Sequence, residues 1–188
     1  MMVAVDSGPL TNGHSVRGIG LYARELIKTL EIEKKAYKDV KIKTVDFSKS
    51  NLTNYDVVHY LSFNPLHLTL PLRKPAKIVV TIHDLIPLIY PNIYPPGIRG
   101  KVRYLIQKFL FKSVDVVITD SETSKKDIVR FFGVSAKKVK VIYLAPSKLF
   151  RVIKDKDRLN QVGKNGKKFI LSNFTYTHAV NKLRTYCS

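Results

Sequence analysis

The feature that most constrains this chain is the alternation of short β-branched runs with stretches whose apolar residues recur at helical spacing. Val3, Ala4 and Val5 form a short apolar run that ends at Asp6, and a turn-rich loop follows over residues 7–17. The next apolar positions are Ile19, Tyr22, Ala23, Leu26, Ile27 and Leu30, one face of an amphipathic helix. Residues 40–47 alternate as a strand does, with Val40, Ile42 and Val45 set among lysines. The β-branched runs over 55–60, 77–82 and 114–119 read as strands buried in a parallel sheet. A helix is predicted over 98–112, and another from an N-cap at Ser121 to Phe132, with Gly133 at its stop position. Residues 138–144 form the last clear strand, and Pro146 follows.

Such an order predicts an α/β fold: an open, mostly parallel, Rossmann-like sheet with helices on both faces. The 188 residues suffice for one full domain and a little more. That domain is expected to span 1–150. Lys, Asp, Asn and Gly then dominate a basic linker over 151–168, and residues 168–172 look like the strand that opens a second unit. The final segment, 169–188, is too short for a domain, so it is expected to be the remnant or start of a truncated one.

Charge and cysteine content limit the function classes. Lys+Arg number 33 against 14 Asp+Glu, a net +19, which attracts polyanions such as nucleic acid, anionic lipid or phosphorylated substrates without choosing among them. The single cysteine, Cys187, leaves no disulfide framework and no cysteine metal site, and the expected compartment is a reducing cytoplasm. No apolar run approaches the roughly 20 residues of a membrane span. No phosphate-binding P-loop, nucleophile elbow or nucleic-acid-binding module is present, so nucleic acid is not the expected partner.

In open α/β sheets ligands bind beyond the carboxyl ends of the strands, and the polar residues fall there. The first strand leads to the loop carrying Gly18 and Gly20, the third ends at His59, the fourth at His83 and Asp84, and the fifth at Asp120, Ser121 and Glu122. Gly18 and Gly20 open a helix, where backbone amides can face an anion, or they serve only to start it. The string from Gly18 to Ala23 fits a dinucleotide fingerprint, but eleven residues separate Asp6 from Gly18 where a tight turn is required. A nicotinamide site is therefore not expected. His83 is suited to hydrogen-bond sugar hydroxyls or stabilise developing charge, and equally to satisfy nearby backbone. Asp84 either touches substrate or orients its own turn. His59 and His83 lack a third ligand at metal-binding spacing, and no metal is assigned.

The helix over 98–112 carries an apolar stripe of Ile98, Val102, Leu105, Ile106, Phe109 and Leu110, bordered by Arg99, Lys101, Arg103, Lys108 and Lys112. Two readings stay open: the stripe packs on the sheet, or it suits an anionic membrane interface.

Four segments resemble the family 4 (group 1) glycosyltransferases. The run Gly18-Ile19-Gly20-Leu21-Tyr22-Ala23-Arg24-Glu25-Leu26 is similar to their G-I-G-R-Y-x-R-E-L segment, and Val80 to Pro87 to their V-x-x-x-H-D-L-x-P segment. Val114 to Asp127 is similar to their A-D-x-V-I-x-x-S-x-x-x-x-x-D stretch, and Val139 to Leu144 with Pro146 to the strand that closes their first domain. The resemblance implies one half of a fold with two Rossmann-like domains (GT-B) and a retaining transfer of a hexose from a nucleotide sugar, without metal or other cofactor. The acceptor would be lipid-linked, phosphorylated or a saccharide. His83 and Asp84 would be catalytic, and Gly18, Gly20, His59, Ser121 and Glu122 would bind substrate. Many members are peripheral membrane enzymes, which makes the inner face of the membrane a second expected location. The donor-binding half expected of the family is not seen in the sequence. A truncated gene, a split enzyme with a separate donor-domain chain, and a domain put to another use are the three alternatives. Activity of this chain alone is not expected. The rival of another class is a non-catalytic basic module that binds anionic membrane or nucleic acid.

Overall fold

The computed structural model describes residues 1–33, 39–144, 160–161 and 164–165. The chain divides into two compact units, 1–144 and 145–188. In the second, Asn160, Gln161, Lys164 and Asn165 are helical. The rest of the linker expected over 151–168, and the strand expected over 168–172, lie outside the described residues.

Six strands build the first unit: β1 (Met2–Asp6), β2 (Lys41–Val45), β3 (Val57–Tyr60), β4 (Lys77–Thr81), β5 (Val116–Thr119) and β6 (Val139–Val141). They form one sheet in the order β2-β1-β3-β4-β5-β6. Every neighbouring pair is parallel. The expected open α/β sheet is present, and it is wholly parallel. Because β1 lies between β2 and β3, the chain leaves its end in one direction and later returns to build in the other. The carboxyl ends of β1 and β3 therefore flank the switch point at which ligands collect.

The helices are α1 (Gly8–Thr11), α2 (Gly18–Glu33), α3 (Ile86–Ile89), α4 (Gly97–Leu110) and α5 (Glu122–Phe132). The four-residue α1 and α3 were not expected, since one turn shows no periodicity. Pro9 and Pro87 stand in their first turns, where the missing N–H costs nothing. Side chains alternate across each strand. Val5 meets Ala23 and Ile27 of α2 on one face. Val58, Ile78, Val80 and Val117 meet Ile128 and Phe132 of α5 on the other. Helices thus cover both faces, as expected. Phe111 stacks on Phe132 with ring centroids 4.3 Å apart, and Phe63 meets both rings edge-on at 5.5 Å.

Helix α5 follows its sequence signals. The Ser121 hydroxyl accepts from the Ser124 amide at 3.1 Å, and Gly133 closes the helix at φ 66°, the left-handed conformation that glycine adopts most cheaply. Helix α4 does not pack by its stripe. Ile98, Val102, Leu105 and Phe109 are 84%, 51%, 63% and 69% exposed. The inward side is Gly100, Gln107 and Leu110, with Tyr104 donating to the Phe131 carbonyl at 2.9 Å. The Gln107 side chain accepts from the Leu70 amide at 3.2 Å and donates to the His67 carbonyl. A methyl group at Gly100 would lie 3.0 Å from the Pro96 Cβ, so small size is what seats the helix there. The reading in which the stripe packs on the sheet is corrected: polar and small residues make the internal contact, and only Leu110 of the stripe is buried. A 3₁₀ turn over Phe111–Ser113 follows and buries Phe111.

Candidate functional site

The carboxyl ends of β3, β4 and β5 and the amino-terminal part of α2 bring one connected set of polar groups together. His59 lies on β3, and its Nε2 is 2.9 Å from the Thr81 hydroxyl at the end of β4. The Tyr22 hydroxyl, from α2, lies 3.4 Å from the same Thr81 oxygen. The Tyr22 ring meets His83 edge-on, with centroids 4.7 Å apart. Beyond it, His83 Nδ1 is 3.1 Å from an Asp120 carboxylate oxygen at the end of β5. An ionised carboxylate only accepts, so Nδ1 carries the hydrogen. In the neutral ring Nε2 then presents a lone pair. That Nε2 is buried and has no hydrogen-bond partner among the described residues.

Burial shifts several polar groups near the carboxyl edge of the sheet. It pushes His59 down to about 4, so the ring is neutral at neutral pH. It raises Tyr22 above its ordinary value, and takes Tyr60 up to about 12 with the Asp6 carboxylate adding to the effect. Asp6, at the end of β1, is also raised by burial, against the lowering effect of the Gly8 and Phe47 amides that donate to it. His59, Tyr22 and Tyr60 are therefore neutral at neutral pH.

The remaining expected site residues have identifiable local roles. Gly20 is required by backbone approach: a Cβ there would collide with the His14 carbonyl and lie 2.7 Å from Ser15 Cα. Its amide donates to the His14 carbonyl at 3.1 Å, so that donor is committed within the loop. Gly18 starts α2 and is exposed, with open space where a Cβ would be. Asp84 accepts from the Ile86 amide at 3.1 Å and orients its own turn. Ser121 caps α5 and donates to Ser124 Oγ at 2.9 Å; the Ser124 hydroxyl in turn donates to the His83 carbonyl at 2.8 Å. The cap of α5 and the backbone of His83 are thereby tied together. Glu122 is exposed in the first turn of α5, where the helix dipole favours a carboxylate.

Three side chains of the cluster, Tyr22, Thr81 and Asp120, were not among the expected site residues. Asp120 closes a strand, which was a usable signal. Tyr22 and Thr81 read from sequence as members of an apolar helix face and a strand. Among the described residues no three His, Cys, Asp or Glu side chains gather as metal ligands. The arrangement sets a half-buried imidazole, one ring nitrogen against Asp120 and the other unpaired among the described residues, at the edge where this fold class binds ligands.

No curated protein matches the sequence. A family model described as Glycosyltransferase Family 4 matches residues 42–145, which includes three of the four segments noted above and leaves the Gly18 segment on its amino-terminal side. The match spans more than half of the chain and agrees with the parallel sheet and its polar carboxyl edge, and the chain belongs to glycosyltransferase family 4.

Proposed function

We propose that residues 1–144 form the acceptor-side half of a glycosyltransferase that moves a hexose from a nucleotide sugar to a lipid-linked, phosphorylated or saccharide acceptor. In this reading a donor-binding half completes the enzyme, and the first unit alone does not turn over. The bond between the anomeric carbon and the diphosphate oxygen breaks, and its electron pair leaves with the nucleoside diphosphate. The acceptor oxygen bonds to the same face of the anomeric carbon, which retains configuration, and its proton passes to the departing phosphate. His83 contributes through Nε2, a hydrogen-bond partner for a sugar hydroxyl near the reacting centre. Asp120 holds the ring in the tautomer that presents that lone pair. The observation that carries the reading is His83 itself: half-buried, fixed on one side by Asp120 and Tyr22, and with its other nitrogen unpaired among the described residues at the carboxyl edge of the sheet. Family membership supports a transferase of sugars.

The test measures sugar transfer by the chain combined with a donor-binding half. His83→Ala is expected to lower the transfer rate by about 100-fold or more, the scale of losing a group that stabilises the transition state. Unchanged rates would remove His83 from the mechanism. With the chain alone, nuclear magnetic resonance should show prenyl-phosphate-linked saccharides perturbing His83 and Tyr22, while nucleotide sugars do not. Tight binding of the nucleotide sugar to this chain would reverse the assignment of the two halves.

A further inference from the structure

Tyr22, Thr81 and His59 adjoin His83, and the proposed transfer gives them no part. All three lie on the face of the sheet that α2 covers. His59 pairs with Val5 across β1 and β3, and Val5 packs on Ala23 and Ile27 of α2. In the β3–β4 register His59 stands beside Val79, so Thr81, two residues further toward the carboxyl edge, points to the same side. Tyr22 reaches it from α2. The Thr81 hydroxyl lies 2.9 Å from His59 Nε2 and 3.4 Å from the Tyr22 hydroxyl. A threonine hydroxyl has one hydrogen and two lone pairs, so it serves both neighbours at once. Thr81 is 2% exposed, which keeps water from replacing either contact. Apolar side chains of similar size would fill the same space with no polar group to satisfy. Three polar side chains stand there instead, linked end to end, and a hydrogen-bonded chain of buried polar groups rigidifies its members.

At the end of this chain is His83. The Tyr22 ring meets the imidazole at an interplanar angle of 80°, with centroids 4.7 Å apart. Asp120 holds His83 only at Nδ1, 3.1 Å away, and one hydrogen bond leaves a ring free to turn about that contact. A perpendicular tyrosine removes the freedom. We infer that Tyr22 is a positioning residue for His83: its ring fixes the plane of the imidazole, and the Thr81 hydroxyl, backed by His59, fixes Tyr22. His59 then stands behind the site as the far anchor of the chain and does not itself meet the substrate. Burial keeps His59 neutral, so its Nε2 completes the chain without bringing a charge to the edge. The inference rests on the transferase reading for its effect on rate, but not for its effect on the His83 ring.

The test uses the whole chain with Tyr22→Phe, Thr81→Val and Thr81→Ser, each checked for the circular dichroism of the parent. Long-range proton–nitrogen spectra at pH 8 read both histidines. In the parent the two His83 nitrogen signals should be widely separated, one nitrogen carrying hydrogen and the other not. Tyr22→Phe and Thr81→Val should each draw them toward a common average, as the loosened ring samples both tautomers. Thr81→Ser restores the hydroxyl and should keep the parent signals. The double variant Tyr22→Phe/Thr81→Val should match either single one, because both break one bridge. Tyr22→Phe removes a single oxygen and decides the question even if Thr81→Val does not fold. With a donor-binding half present, Tyr22→Phe and Thr81→Val should lower kcat about tenfold and leave the acceptor KM within about twofold, as expected of a misplaced group. Unchanged His83 nitrogen signals in Tyr22→Phe overturn the inference, and so do fully additive shifts in the double variant. A loss of rate without any change at His83 overturns it too, and assigns Tyr22 to substrate contact. If His83→Ala leaves transfer unchanged, the transferase reading falls while the spectra still decide the positioning.

Discussion

Helices α4 and α5 lie on the same face of one sheet and touch through Tyr104 and Phe131, yet they turn their apolar residues in opposite directions. In α5 the buried positions are Ser124, Ile128 and Phe132, and none of the charged residues is buried. In α4 the buried positions are Gly100, Gln107 and Leu110, and five large apolar side chains face water. The contrast teaches that periodicity reports which residues share a face but not which way that face points. Direction is decided by the partner available. Beneath α5 lies an aromatic layer that accepts Phe132, whereas beneath α4 lie the backbone groups of His67 and Leu70, which require a polar side chain.

The largest expected effect breaks or confirms that contrast with one residue type. Phe132 is 4% exposed and in ring contact with Phe63, Tyr104 and Phe111, so Phe132→Ala should cost about 3–5 kcal/mol in urea unfolding. Phe109→Ala should stay within about 0.5 kcal/mol of the parent. Comparable losses at the two positions would mean that α4 is packed by its stripe after all.

Polar groups held inside also leave a signature in acid, and His59 sharpens that side of the comparison. Its folded value, about 4, lies below its ordinary 6.5, so the unfolded chain binds the proton more readily. The stability that this neutral ring contributes is complete above about pH 6.5 and is lost as the pH falls toward 4. At about 1.4 kcal/mol per unit, the loss across that window should be about 2–3 kcal/mol. Asp6 is shifted upward and opposes this at the lowest part of the window, whereas Asp115 is shifted down and acts only at still lower pH. The difference between the parent and His59→Gln, measured in urea from pH 7.5 to 4.5, isolates the histidine. A parent with no steeper slope than the variant would show that His59 is not held neutral by burial.

Much of this fold was legible because its signals are local. The runs at Val57–Tyr60, Lys77–Thr81 and Val116–Thr119 are β-branched and buried, and α5 carries a cap, a periodicity and a terminal glycine. Ends were less legible: residues 142–144 share the apolar character of β6, yet Ile142, Tyr143 and Leu144 are exposed beyond a strand that stops at Val141. For the site, the sequence put His59 and His83 at strand ends, and the structure links them through Thr81 and Tyr22. Their partners were not legible, because Tyr22 and Thr81 are 59 residues apart and His83 and Asp120 are 37 apart. Only the strand order β3-β4-β5 and the return of α2 over the sheet bring those pairs into contact. Ser121 and Gly20 show the reverse: their residue types suited a ligand, and their geometry serves a helix cap and a backbone crossing.

Gln107 tests the polar side of α4 directly. Gln107→Ala leaves the buried Leu70 amide without its partner and takes one donor from the His67 carbonyl, which keeps the Thr69 amide, and should cost about 1–3 kcal/mol. Gln107→Leu should cost a similar amount, because added apolar surface does not satisfy the buried Leu70 amide. If the leucine variant is instead as stable as the parent, α4 could have been seated by apolar residues, and the outward direction of its stripe would not be forced from within.

The smallest energetic effect carries the most information about the site. Asp120 stands immediately before the cap of α5, and the capping hydroxyls of Ser121 and Ser124 connect onward to the His83 carbonyl, so the start of this helix fixes His83 through both ring and backbone. Asp120→Ala keeps the cap and the core, and the change in unfolding free energy should remain within about 0.5 kcal/mol. The imidazole should nevertheless change. In long-range proton–nitrogen spectra at pH 8, the parent is expected to carry its His83 hydrogen on Nδ1, and Asp120→Ala to move most of it to Nε2. Asp120→Asn retains an accepting oxygen and should keep it on Nδ1. A parent already protonated at Nε2 would mean that Asp120 does not set the tautomer. The unpaired nitrogen would then be a donor, and the contact proposed to a sugar hydroxyl would have to run in the opposite direction.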